Sequence, residues 1–222
     1  MRRTLVPVLV LLGSLSAAAD DMAIKAVPVT PTQKTSLFNG KDFSGWTKVI
    51  NAEPGSCPDT TWTVADGVIR CTGKPFGYLM TQQVYADYKL HVEYRWYAQS
   101  EQMNSGVFVL KTGPDNFFLP TAIEAQLKKG SAGDFVLLPK ATINGLENPR
   151  IASVPKKADS SEKPDGEWNS VDVTVKGSAV TVVVNGVLQN QGTNAYTDAG
   201  QICLQSEGGP IEFRNVTIEP VP

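Results

Sequence analysis

The stretch "NSVDVTVKGSAVTVVVNGVLQ", residues 169–189, decides the fold. Val171, Val173 and Val175 alternate with Asp172 and Thr174, the period of two that sends successive side chains to opposite faces of a β-strand. Gly177-Ser178 interrupts the alternation, and Asn185-Gly186 ends the valine run that follows. Asn-Gly tolerates the positive φ angles of a tight hairpin. The stretch therefore reads as a hairpin followed by a second turn into a further strand.

The same pattern continues outward along the chain. "TWTVADGVIRC" (61–71) reads as two short strands around an Asp66-Gly67 turn. In "YADYKLHVEYRWY" (85–97), Leu90, Val92, Tyr94 and Trp96 face one way, and His91, Glu93, Arg95 and Tyr97 the other. "NSGVFVLK" (104–111), "AIEAQLK" (122–128), "QICLQ" (201–205) and "IEFRNVTI" (211–218) add further strands. No amphipathic helix of ordinary length is visible. Many short strands with Gly, Asn and Asp turns, in a chain with 19 Gly and 15 Pro, predict an all-β, two-sheet, jelly-roll-like β-sandwich with long irregular loops. At 222 residues, one domain with one sizeable core is expected. Trp46 and Trp62 lie in patterned segments and are expected in that core.

Arg2 and Arg3 precede an apolar run from Leu5 to Leu15, and Ala17-Ala18-Ala19 follow. This reads as a secretory signal peptide over 1–19, and so as export to the periplasm or the medium. The run is short for a membrane span and contains Pro7, so no stable membrane insertion is expected after cleavage. Residues 20–35 read as a flexible tether and 36–222 as the folded domain. Without residues 1–19 the chain carries 18 Lys and Arg against 22 Asp and Glu, a net charge of −4. No basic patch with interleaved aromatics appears, so nucleic acid is not an expected partner. Cys57 and Cys71 flank a hairpin and are the pair best placed for a disulfide in an oxidising compartment, with three reduced cysteines as the alternative. With one His and no CxxC, a Cys/His zinc site is not expected. Carboxylates alone can take Ca²⁺ or Mg²⁺, but no ligand loop of suitable spacing is present.

Two segments break the strand rhythm. Residues 111–121 contain Phe117-Phe118, which suit either sugar stacking or a satellite apolar cluster. Residues 129–168 form a long Pro-, Gly-, Ser- and Lys-rich region expected to wall one side of a site.

"LFNGKDFSGW" (37–46), "WTVADGVI" (62–69), "YADYKLHVEYRW" (85–96), "NSGVFV" (104–109), "IEAQL" (123–127), "GEWNSVDVTVKG" (166–177), "VNGV" (184–187) and "GGPIEFRNVTI" (208–218) occur in this order. The set resembles the 3-keto-disaccharide hydrolase domain family over about residues 36–220. The resemblance implies a concanavalin A-like sandwich, exported by bacteria, acting on glycosides whose sugar is oxidised at C3. It maps the family's polar positions onto Glu93, Arg95, Asn104, Glu124 and Gln126. At one place the chain departs from the family. "LQSEG" (204–208) puts Ser206 and Glu207 where family members often carry Asp and His.

A ketone at C3 acidifies the proton on C2, and the C1 oxygen lies β to that carbonyl. A base that takes this proton lets the C1 oxygen leave by elimination, and water addition completes a net hydrolysis. The route needs a base, a donor for the enolate oxygen and a proton source. It needs no redox cofactor, and none is expected. Glu124, Glu93 and Arg95 are the candidate catalytic residues. Gln126, Asn104, His91, Lys128, Trp168 and Glu207 are candidates for holding the sugar. If the strands at 104–110 and 122–128 share a sheet with 88–97, the Glu93-Arg95 and Glu124-Gln126 rows can meet in one groove. The E-x-D-x-x-E pattern of glucanases of this fold is absent, which argues against conventional two-carboxylate glycosidase chemistry. A non-catalytic carbohydrate-binding module is the alternative, and a scaffold or adhesion domain a third reading. Oligomeric state is not legible.

Overall fold

The computed structural model describes residues 27–51, 60–114, 119–146 and 151–221. These form sixteen strands and no α-helix. In chain order they are β1 (Thr35–Ser36), β2 (Trp46–Ile50), β3 (Trp62–Ala65), β4 (Val68–Cys71), β5 (Gly77–Thr81), β6 (Tyr85–Ala86), β7 (Tyr88–Trp96) and β8 (Gly106–Thr112). There follow β9 (Thr121–Gln126), β10 (Phe135–Leu137), β11 (Ala152–Val154), β12 (Asn169–Lys176), β13 (Ala179–Val184), β14 (Val187–Gly192), β15 (Ala199–Ser206) and β16 (Ile211–Pro220).

Two eight-stranded antiparallel sheets result. The first runs β14-β13-β12-β7-β16-β4-β3, with β1 paired to β16. The second runs β11-β10-β9-β8-β15-β5-β2, with β6 paired to β15. The expected hairpins are present. β12 and β13 turn at Gly177-Ser178, and Asp66-Gly67 and Asn185-Gly186 both adopt the positive φ values that let a two-residue loop follow the strand twist.

The main core lies between the sheets. From β7 it takes Leu90, Val92, Tyr94 and Trp96, from β12 Val171, Val173 and Val175, and from the second sheet Val107, Val109, Ile123, Ala125 and Leu204. Trp46 and Trp62 are both in it, as expected. Burying such side chains contributes roughly 1.5–3 kcal/mol each before entropy is counted. A second apolar cluster comprises Val49, Tyr78, Met80, Phe108, Ala122, Val136, Leu138 and Cys203. Strand parity puts these on the opposite, outer face of the second sheet. That face is therefore not simply wet, which is why β9 is buried on both sides from Ala122 to Gln126.

The stretch expected as a tether is tied down where it is described. The Val29 N–H donates to Val84 O and the Ala86 N–H to Val29 O, which joins this part of the segment to the chain around β6. Residues 1–26, including the signal-peptide segment, lie outside the described residues, as do Cys57 and Phe117-Phe118. Cys71 is a buried free thiol whose Sγ accepts the Gly73 N–H. Among the described residues no helix is long and apolar enough to cross a membrane.

Candidate functional site

The two polar rows expected to meet do not. β7 belongs to the first sheet, whereas β8 and β9 belong to the second. His91, Glu93 and Arg95 point away from the core, as their alternation requires, but toward the far side of the sandwich from Glu124. There they are held by charged neighbours. Arg214 Nε lies 2.6 Å from Glu93 Oε2, and Asn215 Nδ2 donates to Glu93 Oε1 at 2.8 Å. Burial opposes the charge on Glu93, but these two partners prevail and hold its carboxyl below the usual value. His91 Nδ1 is 2.9 Å from Asp172 Oδ1, and that bond raises the imidazole pKa. Arg95 and Arg70 each place Nε 2.6 Å from one oxygen of the buried Glu212. The Trp168 ring packs on two guanidinium groups, with Arg95 Cζ 4.6 Å and Arg214 Cζ 4.0 Å from its centroid. Three of the expected site residues thus belong to an ion-pair ladder on the outer face of the first sheet, and a fourth, Trp168, packs over it.

The other five, Asn104, Glu124, Gln126, Lys128 and Glu207, are gathered on the second sheet. β9 is paired so that Phe108, Glu124 and Val136 lie side by side across three strands, in the row that continues through Cys203 and Met80. Glu124 occupies the middle of this outer face, only 2 % exposed. Gly106 makes room for it, since a Cβ there would stand 2.1 Å from Glu124 Oε1. That oxygen has no hydrogen-bond partner among the described residues. Burial, and secondarily the charge of Glu207, raise the Glu124 pKa well above the ordinary carboxyl value.

Glu207 follows β15, with Oε2 accepting Asn104 Nδ2 and Gln205 Nε2, each at 2.8 Å. Burial raises its pKa too, against the two amide bonds and the charge of Lys128, which lower it. Glu207 is less buried and carries these stabilising donors. It therefore ionises first, and its charge keeps the Glu124 proton in place. Asn104 Oδ1 and Gln205 Oε1 are, like Glu124 Oε1, buried without a partner among the described residues. Three orphaned polar atoms in one cluster is a concentration that a folded domain ordinarily avoids.

A cavity of about 500 Å³ opens above this cluster, lined by Phe76, Gln102, Met103, Asn104, Lys128 and Glu207 among others. Glu124 and Gln205 do not line it; they form the layer beneath. Gln126 spends its side-chain carbonyl on the Leu127 and Lys128 N–H groups, at 2.9 and 2.8 Å, and so shapes the turn that carries Lys128. Glu124, expected as a catalytic residue on the floor of a groove, thus lies below the cavity, whose own carboxylates are the exposed Glu101 and the half-buried Glu207. Gln205 was not singled out from the sequence. Its signal was parity, since Cys203 and Gln205 share one face of β15 and Glu207, just past its end, continues the same alternation. Among the described residues no three His, Cys, Asp or Glu side chains converge as a metal site would require.

The profile of the 3-keto-alpha-glucoside-1,2-lyase-like domain matches residues 33–219, most of the chain. No curated protein sequence matches. Among solved structures, a candidate glycosyl hydrolase from Parabacteroides distasonis is similar at 22% identity and a TM-score of 0.61, over 86% of this chain and 94% of that one. The carbohydrate-binding module CBM66 from Bacillus subtilis is similar at 13% identity and a TM-score of 0.57, over 79% and 95%. A β-glucanase from Bacillus licheniformis is similar at 16% identity and a TM-score of 0.57, over 84% and 97%. At these identities the likeness is one of fold, the concanavalin A-like sandwich of two antiparallel sheets. The extent of the profile match, together with that fold, places the chain in the 3-keto-alpha-glucoside-1,2-lyase-like domain family.

Proposed function

We propose that this domain cleaves the glycosidic bond of 3-keto glycosides in the cavity over the second sheet, and that Glu207 is the base. The observation that carries this reading is a half-buried carboxylate at a cavity wall, held by two amide donors above a second, enclosed carboxyl with one oxygen unpartnered among the described residues. A raised pKa makes the Glu207 carboxylate a stronger base at neutral pH, and the acid form of Glu124 avoids a second charge in the same space.

The sequence of events follows from the substrate. Glu207 takes the C2 proton, and the C2–H electron pair moves toward the C3 carbonyl to give an enolate. Lys128, one of the two lysines lining the same cavity, can hold the enolate oxygen. The enolate then collapses: the C3 carbonyl re-forms, its electron pair makes the C1–C2 double bond as the C1–O bond breaks, and the departing oxygen takes the proton that Glu207 holds, which returns Glu207 to its carboxylate. Addition of water across the double bond gives the net hydrolysis products. Asn104 and Gln205 aim the Glu207 carboxylate through their amide N–H groups. Residues 1–19 fit export to the periplasm or the medium, where such a glycoside would be met.

The test uses the purified domain, a 3-keto disaccharide and the unoxidised parent disaccharide, in D₂O. The expected outcome is sugar release from the keto substrate alone, with deuterium at C2 of the product. Binding of either sugar without release would make this a carbohydrate-binding module instead. Release from the parent sugar without deuterium at C2 would replace the elimination route by ordinary glycoside hydrolysis.

A further inference from the structure

We propose that Phe76 is the platform on which the reacting sugar lies, and that it makes the site reject a pyranose ring with an axial hydroxyl at C4. The proposal rests on the reading that Glu207 takes the C2 proton. Backbone pairing places Phe76 beside that residue. The Leu127 N–H donates to Ser105 O and the Lys129 N–H to Met103 O, so Lys128 and Asn104 stand opposite each other between these bonds. Asn104 in turn holds Glu207 through its side-chain amide. On the other side, β15 pairs with β5 as far as Ser206 and Gly77, and one further step brings Phe76 alongside Glu207. Lys128, Asn104, Glu207 and Phe76 thus form one row, just beyond the ends of β9, β8, β15 and β5. All four line the cavity over the second sheet.

The row is polar at one end and aromatic at the other. Phe76 is half-buried, and among the described residues the two apolar clusters are assembled without it. Its backbone is held in place. The Asn51 N–H donates to Phe76 O at 2.8 Å, and a Cβ added to the adjoining Gly77 would stand 2.1 Å from Val49 O, so β2 and β5 are in close contact there. A half-buried ring on a fixed backbone suits the C–H face of a sugar, whose weakly positive hydrogens meet the negative face of the ring. Sugar stereochemistry then selects the face. In a gluco-configured chair the C2–H and C4–H bonds are both axial and project from the same side. Opposed residues on neighbouring strands stand roughly 4.5–5.5 Å apart at Cβ. A ring that turns its C2–H to the Glu207 carboxylate therefore turns its C4–H to the Phe76 ring beside it. An equatorial hydroxyl at C4 leaves that contact free. An axial one presses an oxygen onto the aromatic face, out of water and without a hydrogen-bond partner, which is costly.

The test compares kcat/KM for three methyl 3-keto glycosides in the wild type, Phe76→Leu and Phe76→Ala. The substrates are the gluco compound, its C4 epimer and its 4-deoxy analogue. In the wild type the epimer is expected to fall about tenfold or more below the gluco compound, with the 4-deoxy analogue within about threefold of it. In Phe76→Ala the gluco and 4-deoxy compounds are expected to lose activity together, chiefly through KM, and the ratio of gluco to epimer to drop below about threefold. Phe76→Leu, which keeps apolar bulk at the position, is expected to lie between. A ratio unmoved in both variants, or a wild type indifferent to C4 configuration, would overturn the role of Phe76 while cleavage itself stands. So would a 4-deoxy analogue as poor as the epimer, which would mean that the equatorial hydroxyl is recognised directly. A wild type that cleaves none of the three removes the underlying function as well. Because each ratio is taken within one protein, a general loss of folding lowers both terms and does not imitate the expected result.

Discussion

Glu124 and Glu207 differ in what surrounds them more than in what they are. Glu124 is enclosed by the sheet and lacks a donor for one oxygen, whereas Glu207 has two amide donors and an open side. The folded state therefore holds a proton on Glu124 that the unfolded chain releases near the usual carboxyl pKa of about 4.3. The raised folded pKa makes stability greatest below the unfolded value and lowers it as pH rises toward the folded value. Glu124→Gln removes this proton linkage. In urea unfolding at about pH 5 and about pH 8, the variant is expected to gain on the wild type at the higher pH. An unchanged difference between the two proteins at both pH values would place Glu124 in a more solvated setting. Alternation in "AIEAQLK" was enough to set Glu124 and Gln126 on one face. It did not reveal that this face is buried, because burial comes from Tyr78, Phe108 and Cys203 on neighbouring strands. Nor did it reveal the vacancy at Gly106, which exists only through the β8–β9 register.

Strands carry a second lesson, which concerns where a row of side chains goes. The alternation in β7 correctly separates Leu90, Val92, Tyr94 and Trp96 from His91, Glu93 and Arg95. Period two says which side of a strand a residue takes, but not which sheet the strand joins. That is fixed by long-range pairing with β12 and β16, on which local pattern is silent. The polar row of β7 is therefore paired with charges on the outer face of its own sheet. Glu212, 1 % exposed, is neutralised by Arg70 and Arg95 together. Arg95→Ala leaves one of its oxygens without its partner, and a loss of about 1–3 kcal/mol is expected in denaturant unfolding. Turnover of a 3-keto glycoside by the folded variant is expected to match the wild type. A large fall in kcat with intact stability would return Arg95 to the reaction.

For the whole molecule, the sandwich has two outer faces put to different uses. The first sheet closes its outer face with an ion-pair ladder under Trp168, and the second keeps apolar residues, buried carboxyls and a cavity on its own. The two-sheet plan was legible in the hairpins at Asp66-Gly67, Gly177-Ser178 and Asn185-Gly186, which need only neighbours in the chain. The division of labour between faces was not, because it depends on which strands cross. The central claim is that chemistry belongs to the second sheet and to Glu207. Its most direct test is kcat/KM on a 3-keto disaccharide for Glu207→Gln beside Glu93→Gln. The amide keeps the shape but cannot take a proton, and loss of a general base lowers rate by roughly 10²–10⁴-fold. A fall of that size is expected for Glu207→Gln, with Glu93→Gln at the wild-type level. The reverse pattern, or Glu207→Gln at full activity, would contradict the account.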